Sequence, residues 1–222
     1  MLIKTYDESA EAGERLIHFD VDKELLRTIE KALGNMKGES RKVLKNAVNA
    51  TARQARAALI AKAKEEYAVK KGPLSKATKV SKKASVSAPE ATITVKGPAQ
   101  ELREFRTSAS KSGVKVKVRN SSTLELIQSK KGSKAKAFLA TFESGHTAIV
   151  QRQDGEEYTK GYQKRKDKYA PNRVDMTRIK KLLSISFPKM VGGSAVLGEL
   201  APDIYDTLLE NVNKEIRRVM RT

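Results

Sequence analysis

The stretch at residues 39–69, ESRKVLKNAVNATARQARAALIAKAKEEYAV, decides how the rest of the chain is read. Leu44, Val48, Ala52, Ala55, Leu59 and Ala63 recur at steps of three and four, with Val43, Ala47 and Ala58 widening the stripe. That spacing collects them on one face of an α-helix. It predicts the longest helix of the chain over 39–69, about 45 Å at a rise of 1.5 Å per residue. Most of the stripe is alanine, which buries little area per residue but lets a second backbone come close. Gly72-Pro73 stops the helix, and Pro73 suits the first turn of a short helix running through Val80.

Beyond Pro89 the period changes from that of a helix to the two-residue alternation of a strand. Ile93 and Val95 alternate with Thr92 and Thr94. Val114, Val116 and Val118 alternate with Lys115, Lys117 and Arg119, and Phe138, Ala140 and Phe142 with Leu139 and Thr141. Each run predicts a strand. Residues 124–128 and 147–151 are further candidates, and Glu143-Ser-Gly-His146 sits where a hairpin turn would join two of them. Residues 182–188 read as a strand-like link ending near Gly192-Gly193. Leu200, Ile204, Leu208, Val212, Ile216 and Val219 then form an amphipathic helix. The expected fold class is α+β, an antiparallel sheet packed by a long central helix, 39–69, and a C-terminal helix, 200–221.

On the N-terminal side, Arg15 to Phe19 predicts a short strand, and Asp20 or Asp22 caps a helix reaching Leu33 before Gly34. Residues 1–36 read as an N-terminal appendage to a domain at 37–222. Residues 154–173 are almost free of aliphatic side chains and read as an extended basic loop, because long loops of this kind are usually functional.

Charge is unevenly placed. The chain of 222 residues has a formal net charge of +19. Residues 37–136 hold 25 bases and 7 acids, so nearly all of the excess lies there. Such a charge calls for an acidic partner. Zero Cys excludes disulfides, thiolate nucleophiles and Cys-based metal sites, and two His, His18 and His146, cannot build a His-rich metal cage. No phosphate-binding loop, dinucleotide fingerprint or Gly-x-Ser-x-Gly elbow occurs. The first residues are acidic where a signal peptide needs bases, and no segment approaches the roughly 20 apolar residues of a membrane span, so synthesis in the cytoplasm is expected.

His146, in one tight turn with Glu143 and Ser144, reads as a turn or interface residue, because neighbours in a turn rarely converge on one reacting atom. His18 reads as a core or interface histidine. The adjacent pairs Glu65-Glu66 and Glu156-Glu157 diverge and read as solvated. Catalytic, cofactor and metal residues are therefore expected to be none. Two groups remain as interaction candidates. Lys115, Lys117 and Arg119 fall on one face of a strand, about 7 Å from one to the next at 3.3 Å per residue. Such a row follows a phosphate backbone or an acidic neighbour, or simply stays solvated. Tyr158, Tyr162 and Tyr169, set among Lys160, Lys164, Arg165, Lys166 and Lys168, pair interface-forming aromatics with cations that choose an acidic partner.

At Ala137-Phe-Leu-Ala-Thr-Phe-Glu-Ser-Gly-His-Thr-Ala-Ile-Val-Gln-Arg152 the chain resembles the prophage minor tail protein Z family of tail-completion proteins. Other pieces follow the order of that family. They are Leu44-Lys-Asn-Ala-Val-Asn-Ala-Thr-Ala52, Thr92-Ile-Thr-Val-Lys-Gly97, Gly113-Val-Lys-Val-Lys-Val118, Ser184-Ile-Ser-Phe-Pro-Lys-Met190 and the C-terminal helix. The resemblance covers about residues 41–222. Residues 1–36 have no counterpart, and 154–173 is longer and more basic than the usual link. The resemblance implies a non-enzymatic virion protein, assembled in the host cytoplasm, that completes a phage tail and joins it to the head. It implies a homo-oligomeric ring, six-fold, meeting tail terminator, tail tube or connector proteins, with genomic DNA in its lumen and no membrane. The alternative, resting on the basic middle segment, is a free nucleic-acid-binding protein.

Overall fold

The computed structural model describes residues 2–6, 13–69, 72–123, 125–126, 136–157 and 177–221. The chain runs β1 (Leu2–Tyr6), β2 (Glu14–Asp20), α1 (Lys23–Leu33), α2 (Ser40–Glu66), α3 (Pro73–Ala77), β3 (Thr78–Lys82), β4 (Ala91–Lys96) and β5 (Ala99–Glu101). It continues with β6 (Arg106–Ser110), β7 (Gly113–Lys117), β8 (Glu125–Leu126), β9 (Phe138–Thr141), β10 (Thr147–Glu157) and β11 (Thr177–Lys181). It closes with β12 (Leu183–Ser186), α4 (Phe187–Val191) and α5 (Glu199–Val219). The protein is α+β. It divides into two compact units, one made of Met1–Gln100 with Ile185–Thr222, the other of Glu101–Ser184.

In the first unit an antiparallel sheet of order β1-β2-β4-β3 packs with α2. Ile17 and Ile93 face each other across the ladder and are fully buried, as is Val95. Alternation in β4 predicts a polar outer face, yet Thr92 and Thr94 are buried too. Their hydroxyls find partners, Thr92 with His18 Nδ1 at 3.1 Å and Thr94 with Ser81 at 2.6 Å, which makes that burial affordable. Residues expected as an appendage supply part of this core. β2 pairs with β4 along its length, and Ile17, Phe19, Ile29 and Leu33 are buried. Asp22 caps α1 by accepting from the Leu25 N–H at 2.8 Å.

α2 stops three residues short of the expected end, because Tyr67 turns to extended backbone (φ −113°, ψ 135°) and is itself buried. The helix predicted from Pro73 through Val80 ends at Ala77. Thr78 and Val80 are β-branched and join the sheet opposite Val95 and Ile93. α5 lies antiparallel on α2. Asn46 meets Glu215 at 3.0 Å, Asn211 donates to Thr51 at 3.0 Å, and Lys62 meets Glu199 at 2.7 Å, so rising numbers on one helix match falling numbers on the other.

The second unit holds the three-stranded sheets β6-β7-β8 and β11-β10-β9, with Val114 N–H donating to Ala137 C=O at 3.1 Å. Phe105, Val114, Ala137, Ala148, Ile149 and Val150 form its core. The hairpin turn falls where expected: Phe142 N–H donates to His146 C=O at 2.8 Å, and Gly145 takes the positive φ of 78° that the turn requires. Val118 lies outside β7, and of the candidate strand at 124–128 the described part is β8. β10 continues to Glu157, so the first four residues of the expected 154–173 loop are strand; pairing with β11 breaks after Arg152 and resumes where Glu157 stands opposite Thr177. The expected link at 182–188 is β12 followed by α4, in which Pro188 stands in the first turn.

Candidate functional site

β7 is the middle strand of its sheet, with Val114 and Val116 turned inward. The two-residue period therefore turns Lys115 and Lys117 the other way, Lys115 exposed and Lys117 half-buried. Register adds a residue that the sequence reading missed: Arg106 on β6 stands directly opposite Lys117, with Ser108 opposite Lys115. Directly opposite residues share a face about 4.5–5.5 Å apart, so Arg106 joins the row laterally. The sole signal in the sequence was the hairpin geometry of 106–117, since Arg106 alone has no pattern. Arg119, expected as third member of the row, is exposed but follows the end of β7. The calculated spacing of the row along one strand thus applies to Lys115 and Lys117. Tyr158, Lys160, Tyr162, Lys164, Arg165, Lys166, Lys168 and Tyr169 lie outside the described residues.

Around the β9–β10 turn, the carboxylate partner of His146 is Glu101. His146 Nε2 lies 3.0 Å from Glu101 Oε2, and Lys181 Nζ donates to Glu101 Oε1 at 2.8 Å. The Phe142 ring stacks on His146, with centroids 6.3 Å apart. Arg103 ties the same end down by donating to Thr147 C=O at 2.7 Å. Burial works against ionisation of Glu101, but hydrogen bonds and charge from Lys181 and His146 outweigh it and hold the carboxyl below its ordinary value of 4.5. A carboxylate so held is a weak base, which suits a structural clamp better than proton abstraction. Leu139 and Phe142 remain exposed on this hairpin.

The sign of the Glu101 shift fixes a pH dependence. A carboxyl with a lowered folded pKa stabilises fully above 4.5 and loses that contribution as pH falls through its folded value. Glu101→Gln is expected to lower stability at pH 7 by about 1 kcal/mol, in the range of partly exposed ion pairs. It should also flatten the decline of the urea midpoint below pH 4.5. Parallel acid limbs in the two proteins would contradict this.

Among the described residues no group of three or more His, Cys, Asp or Glu could hold a metal ion, and no helix is long and apolar enough to cross a membrane. A scan of family models and searches of curated proteins and of solved structures each return no significant match.

Proposed function

We infer that this chain is a structural virion protein. In this reading it completes the proximal end of a phage or phage-like tail, joins it to the head–neck connector, and forms a six-fold ring around the DNA passage. The observation that carries the reading is the β9–β10 hairpin. The stretch 137–152, on which the resemblance chiefly rests, folds as strand, turn and strand and leaves Leu139 and Phe142 exposed. A closed ring needs a heterologous contact between different patches of neighbouring copies, and an apolar hairpin tip clamped by Glu101, His146 and Lys181 is suited to one side of it. The solvent face bearing Arg106, Lys115 and Lys117 suits a passage for phosphates or an acidic neighbour. No catalytic centre or cofactor belongs to this reading. A free nucleic-acid-binding protein is the second reading, favoured by the charge of residues 37–136.

The test is electron microscopy of particles made with the chain deleted, and with Arg106→Gln, Lys115→Gln and Lys117→Gln combined. The deletion is expected to leave filled heads and tails unjoined, and the triple variant to reduce joined, infectious particles at least tenfold. Normal joined particles without the chain would overturn the reading. Tight, salt-sensitive DNA binding by a monomer that is absent from purified particles would favour the second one.

A further inference from the structure

Within the first unit, α2 and α5 enclose a cleft of about 390 Å3. The described residues lining it include Arg53 from α2, Lys83 from the segment after β3, and Lys214 and Arg218 from α5, against the single carboxylate of Glu215. All four cations are exposed, so their charge is presented to solvent. Glu215 is turned onto the wall. Asn46 Nδ2 donates to its Oε2 at 3.0 Å, and its Oε1 lies 3.8 Å from Arg218 Nη1.

The walls are fixed by bonds to which Arg53, Lys83 and Lys214 do not contribute. Asn49 donates to Ala84 C=O and accepts from Ala84 N–H, both at 2.9 Å, which pins the segment carrying Lys83 to α2. Asn211, itself buried, donates to Thr51 and to Gln54 and pins α5 to α2. Ala50, with no side chain beyond Cβ, leaves the space open. A cleft held from both sides with an excess of positive charge binds an anion without first having to order itself.

We propose that this cleft binds the phosphate backbone of duplex nucleic acid. Two guanidinium forks and two ammonium groups match phosphate oxygens. Among the described residues lining it there is no aromatic ring on which a base could stack, which argues against single strands. Among those described residues the one apolar member, Ala50, is too small to anchor a protein partner. Recognition is therefore sequence-independent and salt-sensitive. The inference stands on the cleft alone and does not need the tail-completion reading.

The experiment is fluorescence anisotropy of a labelled random-sequence DNA duplex with the full chain, from about 50 to about 200 mM salt. Arg53→Gln with Lys214→Gln is expected to weaken binding at least tenfold. It should also reduce the slope of log affinity on log salt by about 1–2, since each neutralised phosphate contributes about 0.9. Glu215→Gln keeps an acceptor for Asn46 and is expected to raise affinity several-fold. Glu24→Gln on α1, the same charge change outside the cleft, should raise it less. This arm decides the matter if the double variant fails to give the native circular dichroism. Unchanged affinity and slope in a folded double variant, or equal gains from Glu215→Gln and Glu24→Gln, would overturn the proposal. So would a wild-type chain that ignores DNA while poly-glutamate protects the cleft from hydrogen exchange, which would make the occupant an acidic protein.

Discussion

Phe105→Ala is expected to destabilise the unit Glu101–Ser184 by about 3–5 kcal/mol, the usual cost of removing a buried aromatic ring. Phe105 is wholly buried at the entry to β6, where its N–H donates to Leu102 C=O at 3.2 Å. Apart from Leu102, the other buried hydrophobic residues described in that unit are small or β-branched: Val114, Val116, Ala137, Ala148, Ile149 and Val150. Side chains so short and stiff cannot swing in to fill the space of a phenyl ring, so the cavity persists. Hydrogen exchange should show amide protection lost in β6, β7, β9 and β10 while α2 and α5 retain theirs. A change below 1 kcal/mol, or equal loss throughout the chain, would contradict the assignment of a separate core to this unit.

Leu59→Ala is the counterpart in the first unit, with an expected cost of about 2–5 kcal/mol by urea unfolding. Leu59 is fully buried on α2, and the residues one turn before and after it on the same stripe are Ala55 and Ala63. Neither has an atom past Cβ to offer the void, which places the expected value in the upper half of the range. A variant that unfolds like the wild type would mean that α5 settles inward to close the gap.

The same stripe explains what was legible beforehand. α2 and α5 were readable because a helix writes its buried face into one continuous period, and the hairpin at 137–152 because a tight turn with glycine separates two alternating runs. β3 was not, since Pro73 opens a helix and nothing local reports that Thr78 and Val80 have a partner strand in β4. The role of β2 was hidden for the same reason: pairing with β4 across 72 to 82 positions leaves no mark on either segment. At the candidate sites, Lys115 and Lys117 followed from strand alternation, whereas Arg106 needed the register of β6 on β7. Glu101, forty-five positions from His146, was invisible because an ion pair between distant segments has no sequence period.

The order of the chain has a consequence for its birth. Asn46 and Glu215 are bonded across 169 positions and Thr51 and Asn211 across 160, with the whole second unit encoded in between. On a ribosome making about 5–20 residues per second, α2 must therefore wait on the order of several seconds to tens of seconds for α5. During that wait its stripe is open to other nascent chains. Ala47, Ala52, Ala55 and Ala63, all buried in the finished fold, then offer strangers far less apolar surface than leucines would. An alanine-rich seam thus serves a fold whose first half is finished last.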